Sequence, residues 1–167
     1  MIDLDEILDT ESKREGWRML LEDNAWFCDC PDGVDFDQWS EGRDLAIRAQ
    51  AASKWARWQE ETAGRSPALS ELSSLFLLPL DATASILAEV SLYVGPVTDD
   101  DLANVVQAYA YDRPEAVTVG VAATALLLPI ERIAALIPEL GSEGAHFCFR
   151  ENIDRPLAAQ TFGFDGE

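Results

Sequence analysis

The amino-acid sequence predicts a mainly α-helical protein with a small C-terminal β-hairpin. Three observations carry that prediction. Apolar residues recur at spacings of three and four along most of the 167 residues. Strict alternation is confined to the end of the chain, around Phe147 and Phe149 and again around Phe162 and Phe164. The stretch 75–90, LFLLPLDATASILAEV, returns fifty positions later as 125–140, ALLLPIERIAALIPEL. In each copy an apolar pair leads into Leu-Pro, then an aliphatic residue, a carboxylate and a helix-spaced apolar series, so Pro79 matches Pro129, Asp81 matches Glu131 and Glu89 matches Glu139. The chain therefore divides into a tryptophan-rich region (1–65) that supplies the first helix of the earlier repeat, the helical hairpin of that repeat (66–97), and a second repeat with its β-hairpin (98–167).

Leu4, Ile7 and Leu8, then Trp17, Leu20 and Leu21, fall at helical spacings with carboxylates between them. Residues 3–22 should thus form one amphipathic helix, weakened at Gly16. Residues 26–30 alternate and stop at Pro31, an extended piece before the turn Pro31-Asp32-Gly33. Asp35 or Asp37 caps a long helix with the stripe Ile47, Ala51, Trp55 and Trp58, and Gly64 ends it. All five tryptophans precede residue 60. They make an aromatic packing layer or an aromatic contact surface; Trp55 and Trp58 suit the core, and Trp39 is the candidate for exposure.

Ser66-Pro67 reads as a cap and first helical position for a short helix with Leu69, Leu72, Leu75 and Phe76. Pro79 starts the next, with Leu80, Thr83, Ile86, Leu87 and Val90 on its apolar side, until Gly95-Pro96 breaks the chain. Thr98 caps a helix that opens on Asp99-Asp100-Asp101 and buries Leu102, Val105, Val106 and Tyr109. Residues 117–126, VTVGVAATAL, have the β-branched alternation of a strand, but the repeat equates them with the short helix near Leu69, and the repeat is followed here. Ile130, Ile133, Ala134, Leu136, Ile137 and Leu140 then mark a helix ending in 141–144, before a hairpin of 145–150 with 160–164.

A net charge of -19 is large for this length. It repels phosphate and steers association toward cationic partners, so nucleic acid is not expected as a direct partner. Cys28, Cys30 and Cys148 are an odd number of thiols, and the acidic first residues lack an apolar leader, which points to the cytoplasm. The longest apolar run, near 125–130, is broken by Pro129 and falls far short of the ~20 residues of a membrane helix, so no membrane partner is expected.

A helix from Thr98, a short helix, a tight Leu-Pro turn, a second helix and a hairpin follow the order of elements in a winged helix-turn-helix domain, which residues 98–164 resemble. The earlier copy, with 48–59 as its first helix and no hairpin after Val90, resembles a wingless version of the same unit. In superfamily members that bind DNA, the helix equivalent to 130–140 enters the major groove and needs basic or amide side chains. Here it offers Glu131, Arg132 and Glu139, and the matching helix 80–90 offers Asp81 and Glu89 with no base. The resemblance thus implies the fold without the conventional reading head.

Cys28-x-Cys30 and His146-x-Cys148 contain every cysteine and the only histidine. Four soft ligands could form a tetrahedral zinc site, although one intervening residue departs from the usual two-residue knuckle and reduced core thiols explain the same residues. Contiguous Asp99, Asp100 and Asp101 could hold a cation, but a capped helix start accounts for them without one. No phosphate-cradling loop, dinucleotide fingerprint or nucleophile-base constellation is present. The sequence thus favours a cytoplasmic, non-enzymatic regulatory or inhibitory protein, without a cofactor, that binds a basic protein surface. One form is a nucleic-acid mimic that blocks a DNA- or RNA-handling partner. Its contact candidates are Asp99, Asp100, Asp101, Glu131, Glu139 and Trp39. The alternatives are a winged-helix transcription regulator, which requires Arg132, Arg150 and Arg155 to converge, and a zinc-stabilised structural module; the oligomeric state is left open.

Overall fold

The computed structural model describes residues 2–23, 28–111, 113, 115–139 and 148–163. It is mainly helical, with a small antiparallel sheet near the C-terminus, and divides into two compact units, Met1–Pro96 and Val97–Glu167. The first unit therefore holds both the tryptophan-rich region and the earlier helical hairpin.

The first unit is built around α3, Phe36–Ala63. Asp35 caps it by accepting the Gln38 N–H at 3.0 Å, and Gly64 ends it in the left-handed conformation that glycine adopts without strain. Residues 3–22, expected as one helix, form two: α1, Leu4–Ile7, and α2, Glu11–Leu21. The break falls not at Gly16 but before Thr10, whose hydroxyl accepts the Lys13 N–H and starts α2 afresh. Gly16 lies buried inside α2, where an added Cβ would stand 2.0 Å from the Trp39 carbonyl oxygen of α3. Gly42 of α3 has the reciprocal relation to Lys13 O, also at 2.0 Å, so two missing side chains let the helix backbones meet. The same contact corrects the expectation for Trp39, which is only 4% exposed and points its indole N–H at Met19 Sδ.

Against the later part of α3 pack α4, Leu69–Phe76, and α5, Thr83–Val90. Trp55 is fully buried beside Phe76, with ring centroids 6.2 Å apart; Trp58 is half-buried. The cap of α4 is Ala68 rather than Ser66, because the chain stays extended past Pro67. Leu80, expected on the buried stripe of α5, sits in a preceding 3-10 turn and is exposed, leaving Thr83, Ile86 and Val90 as the buried side.

In the second unit α6, Asp99–Tyr111, buries Leu102, Val105, Val106 and Tyr109 as the sequence predicts. Residues 117–126 contain both patterns that competed for them: β1 is Val117–Thr118, and α7 is Val119–Leu126. Thr118 ends the strand and caps the helix, accepting the Val121 N–H at 3.1 Å. After α8, Ile130–Leu136, strands β2, Phe149–Glu151, and β3, Thr161–Gly163, complete an antiparallel sheet of order β1-β3-β2. Buried Phe162 stands opposite Val117 on one side and Arg150 on the other. The expected hairpin thus gains a third strand; its outer parts, 145–147 and Phe164, lie outside the described residues.

The helix predicted to run to Leu140 ends at Leu136. Ile137 precedes Pro138, whose ring excludes the helical conformation from the residue before it, and Ile137 is extended. Glu139 consequently leaves the helix and bridges Arg150 in parallel pairing.

Helices α4 and α7 occupy equivalent positions fifty residues apart and end in the same way. Leu77 (φ 54°, ψ 44°) and Leu127 (φ 54°, ψ 42°) both take the left-handed conformation, and the next residues, Leu78 and Leu128, are buried and donate to Ser73 O and Ala123 O. For a side chain larger than hydrogen this costs about 1 kcal/mol per site. Helices α7 and α8 meet at 112°. Among the described residues no helix is long and apolar enough to cross a membrane.

Candidate protein-binding surfaces

The carboxylates at the start of α6 have separate roles. Asp101 forms a capping box with Thr98: the carboxylate accepts the Thr98 N–H at 2.8 Å, and the Thr98 hydroxyl accepts the Asp101 N–H at 3.3 Å. Asp99 pairs with Arg132 from the first turn of α8. Asp100 is exposed, as is Glu131. Glu139 pairs with Arg150 at 3.0 Å. Of the sequence-predicted contact residues, Asp100 and Glu131 therefore present carboxylates to solvent, Asp99 and Glu139 are largely exposed but each pairs with an arginine, Asp101 caps α6, and Trp39 belongs to the core.

The cations explain this redistribution. Arg150, its side chain 11% exposed, donates to Glu139 and to Ala134 O at 2.9 Å, one of the last carbonyls of α8 that has no helical partner. Arg113 lies over the Tyr109 ring and donates to Tyr109 O. Arg155 is exposed on the loop between β2 and β3. In the first unit Arg48 donates to Leu77 O, Arg57 to the carbonyls of Val94 and Gly95, and Arg65 pairs with Glu71. Lys13 pairs with Asp9 at 2.9 Å; that hydrogen bond holds the Asp9 carboxyl below its usual range and the Lys13 ammonium above its own. Apart from Arg155, the bases named here serve as ties, while carboxylates such as Asp81, Glu89, Asp100 and Glu131 stay on the surface.

The thiols occupy different surroundings. Cys148 is buried, and desolvation pushes its pKa up to about 12. Cys28 and Cys30 are half-buried, and Cys30 lies 3.5 Å from Val34 O, its pKa raised by desolvation and then by Asp35 and Asp32. His146 lies outside the described residues, and among those residues no group of three or more His, Cys, Asp or Glu is gathered as a metal site. A thiol held protonated is a poor zinc ligand and a poor nucleophile. Iodoacetamide at pH 8 should therefore alkylate Cys148 only after denaturation, as followed by peptide mass spectrometry; rapid labelling of the native protein would contradict its burial. Because the folded thiol keeps its proton to about 12 against an ordinary 9.0, this group's contribution to stability is present below pH 9 and lost as pH rises toward 12.

Sequence reasoning missed the apolar exposure at the two turns: Leu77 is 43% exposed and Leu127 50%. Beside Leu77 lies a cavity of about 140 Å³ lined by apolar Ile7, Leu8, Leu45 and Pro79 and by charged Lys13, Glu41 and Arg48, of which Lys13 pairs with Asp9 and Glu41, and Arg48 donates to Leu77 O. On α7 and its cap, Thr118, Gly120, Val121, Thr124 and Ala125 line a shallow open surface. The doubled Leu-Leu-Pro of the repeat was the available signal, but apolar runs ordinarily indicate core.

Searches against protein-family models, curated proteins and solved structures return no match to this chain.

Proposed function

We propose that the chain is a non-enzymatic, acidic regulatory protein whose winged-helix-like second unit and wingless first unit bind a basic surface on another protein. The order α6-β1-α7-α8-β2-β3, the sheet order β1-β3-β2 and the 112° turn support a winged-helix-like unit. The observation that carries the partner choice is the engagement of Arg132 by Asp99 and of Arg150 by Glu139 and Ala134 O. A transcription regulator would need these arginines for phosphates; here they hold α8 in place, and the exposed residue at its start is Glu131. A surface that ties most of its described cations to its own carboxylates and carbonyls and leaves further carboxylates outward suits a basic partner, including one whose nucleic-acid channel it would fill.

Stopped-flow association with a fluorescent Lys-Ala peptide tests this reading. The on-rate should fall steeply between about 50 and 200 mM salt, as the Debye length shortens through ~10 Å. Asp100→Lys with Glu131→Lys should slow it roughly tenfold at low salt. Asp100 is the position to reverse because Asp99 and Asp101 hold the fold; Asp100→Asn with Glu131→Gln controls for the helix starts. Association indifferent to salt and to these substitutions would remove the acidic surface from the account.

A further inference from the structure

We propose that Leu77 and Leu127 are repeated apolar anchors, each presented by a left-handed turn beside a carboxylate to a cationic amphipathic helix of the partner. This rests on the protein-binding function above and adds what the partner must look like.

At both positions the chain accepts two unfavourable features together. The backbone takes a conformation suited to Gly or Asn, yet the residue is leucine, and about half of that leucine is exposed. A core role would account for a buried leucine, and a turn role for a glycine. The buried leucine is the next one, Leu78 or Leu128, so the apolar seal of each turn is already made. What Leu77 and Leu127 add is an apolar side chain on the surface.

The surroundings specify the occupant. Leu77 is followed by exposed Pro79, Leu80 and Asp81, and Leu127 by exposed Pro129 and Glu131. Each turn therefore sets an apolar projection four residues before a carboxylate. The complement is a row of apolar residues beside a row of Lys or Arg, the two faces of an amphipathic basic helix. An apolar side chain of that helix would enter the cavity beside Leu77, or pack on exposed Leu127 itself. A second copy of this chain is a poor occupant, since each copy brings a net charge of -19.

The test uses the intact chain and two labelled peptides of identical Leu, Ala and Lys composition, one arranged as an amphipathic helix and one scrambled. Fluorescence anisotropy should give tighter binding of the amphipathic peptide. Leu77→Asn and Leu127→Asn should each weaken that binding roughly tenfold while leaving the scrambled peptide unchanged. Asn keeps the left-handed turn, so the melting temperature should hold or rise; the two substitutions lie in different units, so misfolding of one leaves the other informative. Equal, salt-sensitive binding of both peptides, unmoved by either substitution, overturns the anchors while sparing the acidic surface. Binding of neither peptide at low salt overturns both proposals. A concentration-dependent dimer abolished by either substitution assigns the leucines to self-association and overturns this one.

Discussion

Gly42→Ala is expected to destabilise the first unit by about 3 kcal/mol, the upper end for an added methyl group in a packed interface. The sign is what makes the result decisive. Inside an exposed helix the same change stabilises by about 1 kcal/mol, because alanine loses less backbone entropy than glycine. Here the new Cβ would stand 2.0 Å from the Lys13 carbonyl oxygen, a backbone atom that cannot rotate aside, so α2 must move off α3. That movement would also loosen Trp39 and the Met19 contact. Urea denaturation followed by tryptophan fluorescence measures the effect, with Gly95→Ala as the control because nothing lies within 4 Å of its added Cβ. An unchanged or raised midpoint for Gly42→Ala would mean that the helices do not meet there.

Arg150→Met should cost about 2 kcal/mol in the second unit, in the range for hydrogen bonds made by a charged group. Methionine retains much of the apolar stem but removes the cap on Ala134 O and the ion pair to Glu139. The favourable placement of a cation at the end of α8 goes with it. Glu139→Gln should cost much less, since that side chain is largely exposed and the Ala134 hydrogen bond survives. The difference between the two substitutions, read from thermal melts at fixed pH, separates the helix cap from the surface ion pair. Equal effects would contradict a capping role for Arg150.

Much of this was legible in the residues. Helical periodicity located the buried sides of α3, α5 and α6, and an offset of fifty residues found two turns that end in the same left-handed leucine. The misses have specific causes. Gly16 was read as a helix weakness because propensity concerns one helix alone, whereas its role lies in what approaches it. Trp39 was offered as a surface aromatic because burial at a helix crossing depends on a second helix that no local pattern encodes. The end of α8 at Pro138 was readable, since the residue before proline resists helix, but the apolar period ran on to Leu140 and hid it. Strand β1 is two residues long, too short for alternation to register against the helix that follows. The candidate contact residues came from charge, and charge does not say which carboxylates already have partners: Arg132 and Arg150 engage Asp99 and Glu139, while Asp100 and Glu131 remain exposed.

Titrating the intact chain in parallel into a labelled cationic amphipathic peptide and a labelled DNA duplex at about 50 mM salt, where phosphate contacts are strongest, distinguishes an acidic surface that takes a basic protein partner from one that takes nucleic acid. The expected result is saturable binding of the peptide, weakened by salt, with no change in the anisotropy of the duplex. Saturable duplex binding that weakens steeply with salt, together with an inert peptide, would contradict the account and return Arg132, Arg150 and Arg155 to the role of phosphate contacts.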